Sequence, residues 1–147
     1  MIQYGTITRY RYKKLGVGKK LEVKVRVDDR VTAWLPVRTQ ASSFLVVHTP
    51  VRINDQVIVF NPFGNNQDGF VDRNITYKDI PLPKSIDENK YYQVFEDGTI
   101  YMHDVKTKEI SLETPCSLNI HAKKNIEIHT DATLTLRASR IDFKKHT

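Results

Sequence analysis

Five histidines, one cysteine and a pair of serines are the side chains of this sequence that could in principle do covalent or acid–base chemistry: His48, His103, His121, His129, His146, Cys116 and Ser42-Ser43. Nucleophilic catalysis needs a base beside the nucleophile, and neither Ser42-Ser43 nor Cys116 stands in a recognisable nucleophile setting. No HExxH, paired-cysteine or Gly-rich phosphate motif occurs. With one cysteine the chain forms neither an internal disulfide framework nor a cysteine-rich zinc site. His121 and His129 lie eight residues apart, each directly after an apolar residue, where Glu113 and Arg137 stand in equivalent places. That equivalence points to a solvated face and away from catalysis. The expectation is a protein that is not an enzyme, with no catalytic residue, cofactor or metal ligand.

A second set of residues could bind. Arg9, Arg11, Lys13, Lys14, Lys19, Lys20, Lys24, Arg26 and Arg30 crowd the first thirty positions, interleaved with Tyr4, Tyr10 and Tyr12, with Phe44 further on. Cations track a phosphate backbone and aromatic rings stack on bases, so the pattern is compatible with single-stranded nucleic acid. The same rings could instead fill a small core, and the cations could dock on an acidic protein partner. The positive charge is uneven: residues 1–83 hold 13 Lys/Arg against 7 Asp/Glu, and residues 84–147 hold 10 of each. Pro81-Leu82-Pro83 marks the change, which suggests two regions with different tasks.

The elements that carry these residues read as strands throughout. Leu21, Val23, Val25 and Val27 alternate with charges, as a half-buried antiparallel strand requires. Tyr4 to Tyr12 alternates less cleanly, and Leu15-Gly16-Val17-Gly18 reads as a flexible connection. Trp34–Val37, Phe44–Val47, Gln56–Asn61 and Gly69–Ile75 are further β-rich runs, the last two separated by a stretch dense in turn formers. Five or six short strands in about 80 residues predict a small closed or partly open barrel, for which the OB-fold is the common design. Helical periodicity is absent, and no apolar run approaches the ~20 residues of a membrane-spanning helix. Met1-Ile2-Gln3-Tyr4-Gly5 lacks the charged and apolar regions of a secretory signal.

The second region repeats every eight residues. Apolar pairs with one residue between them occur at Ile110/Leu112, Leu118/Ile120, Ile126/Ile128 and Leu134/Leu136, and Ile141/Phe143 follows after seven. Small or polar residues fill the gaps, and such regular self-similarity implies repeated structure. Two apolar side chains per unit are too few for a core within one chain. Three chains wound together would let the pairs meet on an axis and would cover every strand edge. A β-meander with a turn every eight residues is the competing arrangement. The expected class is therefore all-β: an OB-fold barrel over 1–83, a connector over 84–98 and a trimeric intertwined β-helix over 99–147. Its trimer core would be Ile110, Leu112, Leu118, Ile120, Ile126, Ile128, Leu134, Leu136, Ile141 and Phe143. At ~4.8 Å per layer, five layers make a prism on the order of 25 Å long.

Tyr4-Gly5-Thr6-Ile7, Trp34-Leu35-Pro36, Gln56-Val57-Ile58-Val59-Phe60-Asn61-Pro62, Asp68-Gly69-Phe70-Val71 and the run from Tyr91 to Ile100 occur in this order along the chain. Together they resemble the baseplate assembly protein V family of contractile-tailed phages. The resemblance implies an N-terminal OB-fold, a homotrimeric β-helical spike and a place in the virion beneath the tail tube. It further implies contact with tail-tube or baseplate hub proteins and transient contact with the host outer membrane, but no nucleic acid. Many members hold an apical metal through a His-x-His motif. This sequence has no such motif and closes on Lys144-Lys145-His146-Thr147, so the expectation is a metal-free, blunt end covered by a separate tip protein.

Overall fold

The structure, a computed structural model, describes residues 1–65, 67–73 and 79–145. It contains strands and turns, with no helix among the described residues. The chain divides into two compact units, Met1–Leu82 and Pro83–Thr147.

In the first unit, β1 (Ile2–Leu15) turns back into β2 (Gly18–Val27), which pairs with both β3 (Arg30–Val31) and β4 (Leu35–Pro36). A small separate hairpin joins β5 (Gln40–Ala41) to β6 (Val46–Val47). β7 (Gln56–Phe60) pairs with the first part of β1, and β8 (Phe70–Arg73) pairs with β7. All these pairings are antiparallel, giving the order β3-β2-β1-β7-β8 with β4 also on β2. Just past β4, Val37 makes a parallel bridge to Val71 of β8, and the Arg38 N–H donates to the Val71 carbonyl at 2.8 Å. The strand path thus returns to its start.

The core follows from the alternation of β2. Leu21, Val23, Val25 and Val27 are at most 8% exposed and meet Ile7, Leu35, Val37, Val51, Val57, Val59 and Val71. Buried Thr32 is satisfied locally: its hydroxyl accepts the Val25 N–H at 3.0 Å and donates to the Ala33 carbonyl at 2.8 Å. Gly5 is required where β1 crosses this core, because a Cβ there would strike the Val25 side chain and approach the Arg26 carbonyl oxygen to 2.7 Å.

Several sequence expectations are corrected here. Leu15 to Gly18 is a tight two-residue turn with Gly16 at φ 56°, since Leu15 and Gly18 are already paired. β3 and β5, of two residues each, are too short to show a period and were not expected from the sequence. Tyr4, Tyr10 and Tyr12 do not fill the core; they are 57%, 44% and 44% exposed, and aliphatic side chains fill the interior instead. Asn74 and Ile75, the end of the expected Gly69–Ile75 run, lie outside the described residues.

The second unit opens with a three-stranded antiparallel sheet, β9 (Lys90–Val94), β10 (Ile100–Asp104) and β11 (Glu109–Glu113), in the order β11-β10-β9. Residues 84–98, expected to be a connector, therefore include a strand, because Tyr91 to Val94 pair fully with Ile100 to His103. Asp97 sets the first turn by accepting the Thr99 N–H, with Gly98 at φ 92°. Asp104 sets the second by accepting the Lys106 and Thr107 N–H groups at 2.9 and 3.2 Å. Burial alone would raise the Asp104 pKa, but these hydrogen bonds and the nearby Lys90 charge hold it below the ordinary carboxylate value.

Candidate functional site

No strand is present among the described residues after Glu113, yet the backbone is regular: it bends at 115–116, 123–124, 131–132 and 139. The bends keep the eight-residue interval of the sequence, even at the last one, where the apolar pair arrives a residue early. Two bends share one local device. The Thr114 hydroxyl accepts the Cys116 N–H at 3.1 Å, and the Thr130 hydroxyl accepts the Ala132 N–H at 3.2 Å, at equivalent octad positions. Side-chain bonds of this kind hold a change of direction without a partner strand.

Between the bends, every apolar pair lies open. Within one chain Leu118, Ile120, Ile126, Ile128, Leu134, Leu136, Ile141 and Phe143 are between 49% and 88% exposed. On β11, Ile110 and Leu112 are likewise exposed. They face the same way as Tyr101 and His103, their partners on β10, and Tyr91 packs edge-on to Tyr101 with ring centroids 6.2 Å apart. Among the described residues the second unit contributes no side chain to the buried hydrophobic core; its one buried residue is Asp104. Scattered single hydrophobics are ordinary on a protein surface; a regularly spaced series of exposed apolar pairs is not.

The residues considered for catalysis are not brought together. The Ser42 hydroxyl accepts the Phe44 and Leu45 N–H groups at 3.3 Å, shaping the β5–β6 turn. His48 meets the Tyr12 hydroxyl at 3.1 Å. His103, His121 and His129 are exposed, the Cys116 thiol lies 3.5 Å from an Asp97 carboxylate oxygen, and His146 lies outside the described residues. Asp97 is held below its ordinary pKa chiefly by hydrogen bonds from Thr99. No group of three or more metal-ligating side chains occurs among the described residues.

The cations of the first unit form a defined surface. By the β1–β2 register, Arg9 stands opposite Lys24, Arg11 opposite Glu22 and Lys13 opposite Lys20 on the face turned away from the core. Trp34 lies against this face, with Arg11, Lys24 and Arg9 at 4.3, 5.4 and 5.5 Å from its ring. Glu22 is 4% exposed and takes the Arg11 guanidinium at 2.8 Å and the Lys20 ammonium at 3.2 Å. Burial would raise its pKa, but the hydrogen bonds from Arg11 and Lys20 outweigh that and hold it below the usual value. Tyr10 and Tyr12 pair with Val23 and Leu21 and so lie on the opposite face from this cluster. The grouping on Trp34 was not foreseen; its only trace in the sequence is the coincidence of a lone tryptophan with alternating cations. The chain matches no protein-family model and none of the curated proteins it was compared with.

Proposed function

We propose that this chain is the central spike of a contractile phage tail or a related injection device, acting as a homotrimer. The observation that carries this is the open octad face: five apolar pairs, with bends in an eight-residue register between the later ones, and no core of their own. Three copies related by a threefold axis would bury all five pairs at once and give each strand edge a neighbour. Axial force would then be shared by hydrogen bonds from three chains.

The first unit supports an attachment role. Its closed path of β1, β2, β4, β8 and β7 suits the five-stranded, partly open OB-fold barrel. That barrel would fasten the spike to tail-tube or hub proteins, while the far end meets a separate tip protein and, on contraction, the host outer membrane. The mature protein would reside in the virion. Single-stranded nucleic-acid binding is the second reading, favoured by the three cations gathered on Trp34. Against it, Tyr10 and Tyr12 turn away from those cations, so stacking platform and phosphate track do not share a face.

Solution mass tests the proposal directly. Light scattering should give about three times the 17.1 kDa chain mass, and antibody against residues 117–145 should label the distal end of assembled particles in electron micrographs. A folded monomer, or label elsewhere on the particle, would overturn it.

A further inference from the structure

The barrel core of the first unit does not end cleanly. β1 pairs with β7 from Ile2 to Thr6, and from Arg9 to Leu15 the β1–β2 hairpin runs on with no further strand on β1 among the described residues. Where it outruns the barrel, a cleft of about 460 Å³ opens between the hairpin and the β5–β6 hairpin. Its walls are mainly apolar: Leu15, Leu21, Pro36, Val37 and Val46, with Tyr12 fixed beside them by its contact to His48. Leu15 and Val46 at its mouth are 59% and 68% exposed. That volume is of the size that takes one or two large apolar side chains.

The rim is cationic. Lys19 and Lys20 line the cleft, and Lys14 stands directly opposite Lys19 on the face that carries Tyr12 and Leu21. Like charges placed opposite one another on a hairpin destabilise it. Lys20 is committed to Glu22, but among the described residues neither Lys14 nor Lys19 has an ion-pair partner. Carboxylates arriving from outside would relieve that repulsion, while an apolar residue between them would fill the cleft.

We propose that this cleft is a docking site for an acidic segment of a partner protein, anchored by a large apolar side chain between flanking Asp or Glu residues. It rests on the first unit alone and does not require the trimer. A monomeric chain that still bound such a segment would remove the spike proposal and leave this one standing.

The test is selection of displayed random dodecapeptides on the full chain, followed by fluorescence anisotropy of the strongest binder. Selected peptides should combine two or more acidic residues with Leu, Ile, Phe or Trp. Their affinity should fall about tenfold or more in Lys14→Glu/Lys19→Glu and separately in Val46→Asp, and less than about twofold in Lys106→Glu in the other unit. The substituted side chains are exposed, and circular dichroism would verify that each variant keeps its sheet. Oligothymidylate and vesicles of anionic phospholipid should not compete. The proposal is overturned if nothing is enriched, if the enriched peptides are basic or lack acidic residues, or if the cleft variants bind as the parent does. Competition by oligothymidylate or vesicles would likewise overturn it, assigning the cleft to nucleic acid or lipid.

Discussion

Glu22 stands among charged neighbours on the face of β2 that the alternation assigns to solvent, and it is nevertheless buried. Arg11 and Lys20 close over it, and Arg11 in turn lies on Trp34. Its carboxyl is held below the ordinary value, so its contribution to stability is complete above the unfolded-chain pKa of about 4.3 and disappears as pH falls through the lowered folded value. Glu22→Gln should therefore cost about 1–3 kcal/mol near neutrality. The difference between variant and parent Tm should shrink steadily between about pH 5 and pH 3. Thermal melts across that range measure it; a gap independent of pH would show that the carboxylate charge contributes nothing. The valines of β2 were legible because a period of two is explicit in the residue types. Glu22 was not, because burial of a charge depends on which cations reach it across the register. Tyr10 and Tyr12 were ambiguous for a similar reason: they lie on the core side of β1, but past the point where β7 ends.

At the scale of elements, the octads were the plainest feature of the sequence, and the bends in the structure fall in the gaps between the apolar pairs. What the sequence alone left open was whether one chain could fold them away. In the single chain the pairs stay exposed and no strand forms after Glu113 among the described residues, which is not the pattern of a meander that buries one face. Ile128→Asp provides the sharpest element-level test. In a threefold arrangement it sets three carboxylates together on the axis with no countercharge, and an unpaired buried charge costs several kcal/mol. The expected outcome is loss of the trimer peak in light scattering, with Lys124→Asp at a bend leaving assembly intact. Equal behaviour of the two variants would mean that Ile128 does not lie in a core. The short strands β3 and β5 show the opposite limit, since two residues have no period to read: β3 is defined by its pairing with the longer β2, and β5 by its pairing with the equally short β6.

For the whole molecule, the charge asymmetry and the division into units coincide: the excess of cations ends near Pro83, where the second unit begins. The two units differ in how they could be stable. Met1–Leu82 has its own aliphatic core, whereas the second unit buries no hydrophobic side chain among the described residues. In the proposed trimer, unfolding of the second unit would then require dissociation, and its resistance would be that of the assembly and not of one chain. Between Pro83 and β9 the chain runs through turns from Lys84 to Asn89, held by short-range contacts such as the Lys90 ammonium on the Ser85 carbonyl at 2.7 Å. Turn segments of this kind open locally far more easily than sheet or buried core, and they are the usual sites of proteolytic nicking. Brief trypsin treatment should therefore cut first after Lys84 and leave a fragment beginning at Ser85 that still runs as a trimer. Lys123 and Lys124 provide the internal control, for in a lone chain they are exposed at a bend and as accessible as Lys84. Mass spectrometry of the early digest decides between the alternatives. Early cleavage after Lys123 or Lys124, with the Lys84 bond intact, would mean that the octads are not held by neighbouring chains.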